Sequence, residues 1–203
     1  MRYIGVVVAV VAIMATSCSG ESSQAAIEPS PISSAERTVS PSRPTLTAPD
    51  LQPPAQEGEY VNKDRPDVVF DPCTWIGDDT IREAGYDPAT RSRGDDWLAE
   101  WTFLICHFDS ELINLSVMSG NVTLEEEIAK NGSWQKPTTV NGREATFGRE
   151  PGQNTCTINM RTAVGVVFVN QMLTLKGRTQ GADPCQGIEK TAALIEKEIG
   201  EGN

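Results

Sequence analysis

The chain has few of the side chains on which enzymes rely. Among its 203 residues there is one histidine, His107, and aromatic residues make up only 6%. No serine lies in a Gly-x-Ser-x-Gly elbow and no glycine-rich phosphate loop is present, which excludes two large groups of enzymes. A lone histidine in a strand-like run is more often structural than catalytic. We therefore expect no catalysis, and we assign no catalytic residue and no cofactor.

Basic residues are also scarce. The segment 67–203 carries 12 Lys and Arg against 21 Asp and Glu, a net charge of −9. Such an acidic domain repels phosphate backbones, so a nucleic-acid partner is not expected. The acidic runs lack the spacing of a calcium loop, and a single histidine without a Cys-x-x-Cys pair does not suit zinc. We assign no metal site.

No apolar run is long enough to cross a membrane. The N-terminal run, 4–15, has 12 residues, whereas a spanning helix needs about 20. Arg2 precedes it, and the small residues at 15–17 lead directly to Cys18. This is the arrangement of a secretory signal. The cysteine behind it resembles the lipid-attachment residue of a bacterial lipoprotein.

We interpret 1–17 as a lipoprotein signal peptide and Cys18 as the mature N-terminus. Acyl chains such as palmitate would anchor it on the outer face of the cell membrane, since each buried CH₂ contributes about 0.8 kcal/mol. The alternative is plain secretion with Cys18 incidental. Residues 18–66 contain eight of the 13 prolines and many serines, which predicts a disordered linker spanning about 40 Å, whether or not it carries sugars. A single domain is expected over 67–203.

The domain contains an even number of cysteines, which in an exported protein implies two disulfides. Cys73 and Cys185 each end an Asp-Pro-Cys tripeptide ahead of a helical pattern. Cys106 and Cys156 lie in strand-like runs. Joining each helix start to the strand nearest in sequence favours Cys73 with Cys106 and Cys156 with Cys185. The nested pairing, Cys73 with Cys185 and Cys106 with Cys156, stays open.

Apolar periodicity and capping residues predict a mixed domain. Helices are expected at 78–84, at 123–130 and at the C-terminus, where Asp183 would cap, Pro184 would take the first position and Gly200 would end the helix. Strands are expected at 98–108, 112–118, 144–148, 156–161 and 164–175. Short links favour antiparallel pairing. The predicted fold class is α+β, an antiparallel β-sheet with helices packed on one face, two disulfides and a disordered tether in front.

Two tryptophans form the candidate binding surface. Trp97 and Trp101 are four residues apart and would share one side of a strand. Buried together they belong to the core, which is the favoured interpretation. On an edge strand they would line a pocket for a lipid or a glycan.

Together these features resemble a known family. The lipoprotein signal, the Pro/Ser tether, the Asp-Pro-Cys-Thr-Trp-Ile run at 71–76, the two strand cysteines and the second Asp-Pro-Cys before an Ala-rich helix are similar to actinobacterial, mycobacterial-type lipoproteins of the domain of unknown function 3558 family. The resemblance covers about 67–200. It implies an extracytoplasmic lipoprotein without assigned catalysis, and it carries over only Cys18 and the four domain cysteines.

The predicted function is a membrane-anchored extracytoplasmic module that binds an unidentified envelope ligand or protein. Two alternatives stay open. One is an envelope hydrolase or transferase that uses paired carboxylates, for which the acidic runs 78–79, 95–96 and 125–127 are the candidates. It requires two carboxylates that converge in a pocket, with a raised pKa. The other is an accessory protein of a membrane complex.

Overall fold

An antiparallel sheet forms the centre of the structure, a computed structural model that describes residues 46–203. Within that range eight strands pair in the order β1-β3-β4-β8-β7-β6-β5, and the short β2 pairs with β3. The strands are β1 (Ser92–Arg93), β2 (Trp97–Leu98), β3 (Thr102–Phe108), β4 (Ile113–Gly120), β5 (Gln135–Val140), β6 (Arg143–Arg149), β7 (Thr155–Arg161) and β8 (Val166–Leu173). The signal peptide, Cys18 and much of the linker lie outside the described residues, so the predictions about them stay predictions.

Alternation of side chains along the strands builds the core on one face of this sheet. Leu104, Cys106 and Phe108 of β3 are buried in alternate positions. Val117 of β4 lies opposite Cys106 on one side and Val169 of β8 on the other. Side chains at paired positions share a face, so these apolar residues form one continuous layer. We call this side of the sheet the covered face and the other side the open face.

Five α-helices flank the sheet in residues 46–203. They are α1 (Pro72–Trp75), α2 (Asp78–Ala84), α3 (Leu124–Asn131), α4 (Leu175–Thr179) and α5 (Ile188–Ile199). Residues of α1, α2 and α5 pack into the core on the covered face, as Ile81 and Ile195 show. This confirms the predicted fold class. In addition, α3 lies on the open face, where Leu124 packs with Val166 and Phe168. None of these helices combines the length and apolar character needed to cross a bilayer.

Local chemistry accounts for the two helices that match the prediction. α2 ends at Gly85, which adopts the left-handed conformation, φ 93°, that glycine tolerates best. α3 begins with a capping box between Thr123 and Glu126.

Several predicted element boundaries differ from the structure; for example, the strand predicted at 164–175 ends at Leu173, and α4 begins at Leu175. α5 begins at Ile188 because the Asp183 carboxylate accepts the Cys185 N–H in a turn, and Gly187 is left-handed with φ 79°. The strand predicted at 98–108 is two strands, β2 and β3, joined by a tight turn. A further strand, β5, has little apolar character and was not predicted. It lies at the sheet edge, where the proline it contains is tolerated because no ladder N–H is needed there.

The two disulfides confirm the favoured pairing, and the nested alternative is wrong. Cys73 bonds to Cys106 and Cys156 bonds to Cys185, with Cα–Cα distances of 5.0 and 5.1 Å. The first joins α1 to β3, and the second joins the turn before α5 to β7. Both bridges therefore fasten helical segments to the sheet.

Residues 46–66 pack on the domain, whereas a disordered linker was predicted as far as residue 66. Leu51 is buried, and its carbonyl oxygen accepts a hydrogen bond from Nε of Arg93 at 3.1 Å. The Gln56 side chain bonds both the N–H and the carbonyl oxygen of Val68, each at 2.8 Å. Side-chain hydrogen bonds and one apolar anchor thus order a proline-rich segment. The folded region includes residues from 46 onward and does not start at 67.

Candidate ligand-binding cleft

The open face carries a cleft beneath α3, which we call the α3 cleft. Phe103, Met118 and Phe168 form an apolar floor in which the two phenyl centroids are 6.0 Å apart. The register explains this grouping, because Phe168 lies between Met118 on β4 and Asn159 on β7. The cleft has a volume of about 360 Å³, and α3 and the link that follows it form one wall. This size is at the lower end of the range for small-molecule sites.

Two glycines allow aromatic rings to lie against the open face. A Cβ at Gly120 would be 2.5 Å from Cδ1 of Phe103. A Cβ at Gly148 would be 2.9 Å from the ring of Trp134 and 2.8 Å from its carbonyl oxygen. Contacts this short are not possible, so both aromatic residues depend on glycine for their positions.

α3 directs Glu127 toward the sheet. Thr123 Oγ1 accepts the N–H of Glu126 at 3.2 Å, and the Glu126 carboxylate accepts the N–H of Thr123 at 2.8 Å, which defines the first turn. Leu124 packs on the open face, and Glu127 lies on the same side of the helix because it is three residues further on. Glu127 is consequently only 8% exposed.

Three amide groups hold one oxygen of Glu127. Oε1 accepts hydrogen bonds from Asn131 Nδ2 at 2.8 Å, Gln135 Nε2 at 2.9 Å and Asn159 Nδ2 at 3.2 Å. The side-chain oxygen of Gln135, Oε1, in turn accepts a hydrogen bond from Thr146 Oγ1 at 2.8 Å, which defines the orientation of the Gln135 amide. The network joins α3 to β5, β6 and β7.

The other oxygen of Glu127 is available. Oε2 makes no hydrogen bond within residues 46–203 and is not among the fully buried unpaired atoms of that range, so it is accessible to solvent on a side chain that lines the α3 cleft. No Lys, Arg or His of the same range forms an ion pair with Glu127. The three amide donors satisfy Oε1, but they bring no positive charge to the carboxylate. The cleft thus contains a buried charge with one free acceptor position.

Further polar groups surround this carboxylate. Asn170 lines the floor, and its amide has no hydrogen-bond partner within the described part of the chain. Lys130 and Glu150 also line the cleft and are exposed. They carry opposite charges.

The structure separates Trp97 from Trp101 and exposes both, so the prediction that they lie in the core is wrong. Trp97 is 59% exposed and lies opposite Phe103 on the open face, next to the cleft floor. Trp101 is 39% exposed, stands in the turn between β2 and β3, and lies 5.5 Å from the Arg65 guanidinium. The turn reverses the chain between the two indoles, which is why they do not share one strand face.

Five of the seven carboxylates in the candidate runs form ion pairs with arginines. The ion pairs are Asp78 with Arg91, Asp79 with Arg82, Asp96 with Arg93, Glu125 with Arg161 and Glu126 with Arg65. The hydrogen bond from Arg65 lowers the pKa of Glu126 to about 2, and the one from Arg161 lowers the pKa of Glu125. A general acid needs the opposite shift, so these groups give no support to a hydrolase.

His107 and the pair Ser133 and Lys136 are two further candidates for chemistry. His107 lies on β3 opposite Ser92 and Ser116, and its ring makes no hydrogen bond within residues 46–203. The hydrolase spacing Ser-x-x-Lys occurs at Ser133 and Lys136, where both side chains are exposed and no hydrogen bond joins them in the described structure. Neither arrangement provides a nucleophile with a base in contact.

The chain belongs to a family. Its described part is a disulfide-stabilised α+β domain with a small cleft on the open face of the sheet. The family is described as protein of unknown function (DUF3558), and it matches residues 13–198. No curated protein and no solved structure matches the chain.

Proposed function

We propose that the protein is a lipoprotein of the cell envelope whose domain binds a small ligand in the α3 cleft. The observation that carries the proposal is the cleft, in which an apolar floor, an unpaired amide and a free carboxylate oxygen meet in about 360 Å³. Small-ligand sites combine an apolar lining with a few polar groups in this way. Trp97 extends the apolar floor toward the sheet edge, which offers a longer ligand a further contact.

Anchoring at the membrane is the second part of the proposal. The signal at 1–17 and the position of Cys18 support it. The family match begins at residue 13 and therefore includes Cys18. The two Asp-Pro-Cys runs resemble those of actinobacterial lipoproteins, which supports an extracytoplasmic lipoprotein of that type.

Expression of the full chain in an actinobacterial host tests the anchor. We expect membrane-extracted protein to begin at Cys18 and to carry acyl mass there, as measured by intact mass spectrometry. Cys18→Ala should leave the membrane fraction. Membrane-extracted protein that still begins at an unmodified Met1 contradicts the anchor.

Native mass spectrometry of the same membrane-extracted protein tests the cleft. We expect a bound small molecule in the wild type, and its loss in Asn170→Phe, which fills the cleft floor. Leu175→Phe, on exposed α4, is the control and should retain the molecule. Equal retention by both variants, or no bound molecule in the wild type, contradicts a ligand site in the α3 cleft.

A further inference from the structure

We propose that the ligand of the α3 cleft carries a cationic amine, which binds Oε2 of Glu127, beside an apolar group that lies on Phe103, Met118 and Phe168. This inference names the ligand class of the cleft and therefore rests on the proposed function. It is argued from charge balance, from hydrogen-bond geometry and from the cleft lining.

Charge balance sets Glu127 apart from the other buried acid. In residues 46–203 two acidic residues are buried, Asp71 at 3% exposure and Glu127 at 8%. Asp71 pairs with Arg93 at 2.7 Å. Glu127 accepts hydrogen bonds from neutral amides alone, so no ion pair within residues 46–203 balances its charge. A cation supplied by the ligand completes at Glu127 what Arg93 completes at Asp71.

Hydrogen-bond geometry selects a donor for one particular atom. Three amides converge on Oε1 and none reaches Oε2, so the acceptor that faces the cleft is unfilled. An ammonium group brings three N–H donors, and the unpaired Asn170 amide on the floor offers a further acceptor. A hydroxyl also donates to Oε2, but it leaves the negative charge in place.

The cleft lining suits an organic cation better than a metal ion. Its floor combines three apolar side chains with the neutral amide of Asn170, and Trp134 stands on the wall. Aromatic faces attract ammonium groups, most strongly where water is excluded. Among residues 46–203, no cluster of three or more His, Cys, Asp or Glu side chains suits a metal ion. An amine attached to an apolar or aromatic group therefore matches both parts of the site.

Glu127→Gln separates ligand binding from the structural role of Glu127. Glutamine keeps an Oε1 that can accept the three amide donors. It replaces Oε2 by an NH₂ group that cannot accept, and it removes the charge. Glu125→Gln is the matched control, because it removes the same charge two residues earlier, where Glu125 is exposed and pairs with Arg161.

Two probes that differ only in the cation test the proposal. Phenethylammonium and 2-phenylethanol share the apolar group, and their affinities for the full chain in neutral detergent are measured by ligand-observed NMR against a detergent blank. We expect the wild type and Glu125→Gln to bind the ammonium about tenfold tighter than the alcohol. Glu127→Gln should lose that preference, and Asn170→Phe should bind neither probe.

Each of the following outcomes contradicts the proposal of a cationic ligand. Equal affinity of the two probes for the wild type, with both lost in Asn170→Phe, leaves a cleft that binds neutral ligands, so the proposed function survives. Cellobiose, a neutral disaccharide, is measured as a third probe. If it binds more tightly than phenethylammonium and Glu127→Gln does not change its affinity, the cleft again binds neutral ligands. An ammonium preference that persists in Glu127→Gln also overturns it. The comparison of probes in the wild type needs no variant, so it decides even where Glu127→Gln does not fold.

Discussion

Trp134 stands on the wall of the α3 cleft because Gly148 leaves room beneath its ring. We predict that Gly148→Ala destabilises the domain by about 1–3 kcal/mol, since the new methyl group would meet the ring at 2.9 Å and the Trp134 carbonyl oxygen at 2.8 Å. Urea unfolding followed by circular dichroism measures the change. Gly202→Ala, where a Cβ meets nothing within 4 Å, is the control. A variant as stable as the wild type contradicts the contact.

Tyr86 makes folding stability depend on alkaline pH. It is 9% exposed, and burial raises its pKa to about 12 from the usual 10. Because the folded pKa is the higher one, the contribution of Tyr86 is complete below pH 10 and is lost as the pH rises from 10 to 12. The loss amounts to at most about 3 kcal/mol. We expect the free energy of unfolding to fall over this interval.

Tyr86→Phe and Tyr60→Phe distinguish this residue from general alkaline unfolding. The phenylalanine at position 86 removes the titrating group, so the fall in unfolding free energy between pH 10 and 12 should become smaller. Tyr60 is 78% exposed, and its replacement should leave the fall unchanged. Identical pH profiles for wild type and Tyr86→Phe rule out the assignment.

The sequence contains a signal for Glu127 beyond its place in the acidic run 125–127 at a helix start. Its spacing of three from Leu124 places it on the buried side of α3, which the sequence alone could have indicated. The amide donors were beyond reach, because Gln135 and Asn159 meet Glu127 only through the pairing of β5, β6 and β7.

Among the elements, α3 is the one that positions the cleft carboxylate, and its N-terminal cap is local. We predict that Thr123→Ala destabilises the domain by about 1 kcal/mol, because the capping box loses its hydroxyl acceptor. Hydrogen exchange should speed up selectively in α3. Thr174→Ala is the control. The Thr174 hydroxyl caps α4 by accepting the Gly177 N–H, so its removal should leave the exchange of α3 unchanged. Equal exchange of α3 in both variants speaks against the cap.

Element predictions succeeded where a local signal exists and failed where pairing decides. α2 and α3 were predicted because a left-handed glycine and a capping box are visible in the sequence. β5 was missed because hydrogen bonds to β6, rather than apolar character, make 135–140 a strand. The turn between Trp97 and Trp101 was missed because the two residues at its centre, Ala99 and Glu100, include no glycine, proline or asparagine that would mark a turn.

For the whole molecule, the two disulfides should stabilise to similar extents. They close loops with sequence separations of 33 and 29, which the chain-entropy relation converts to about 3 to 4 kcal/mol each. We predict comparable losses of unfolding free energy for the alanine double variants of the first pair and of the second pair. Chemical denaturation measures both. A loss confined to one bridge indicates that the other closes a loop already ordered in the unfolded chain.

For the whole molecule the sequence predicted the fold class but not which face of the sheet each helix covers. Apolar stripes and cysteines were sufficient for an α+β domain with two bridges. That α3 packs on the open face depends on a contact between Leu124 and Phe168, which are far apart in the chain. The packing of residues 46–66 on the domain likewise depends on partners far away in the chain, such as Arg93.

The packing of residues 46–66 affects how the protein would sample its surroundings. With Cys18 as the proposed anchor, 27 residues (19–45) separate the lipid from the described structure, in place of the 48 (19–66) suggested by composition. For a flexible tether, which the composition of 19–45 predicts, the effective concentration of the tethered site falls roughly as the −3/2 power of tether length, so the shorter span would raise it about twofold. A cleft held this way would encounter ligands at the bilayer surface more often than those in the bulk of the envelope.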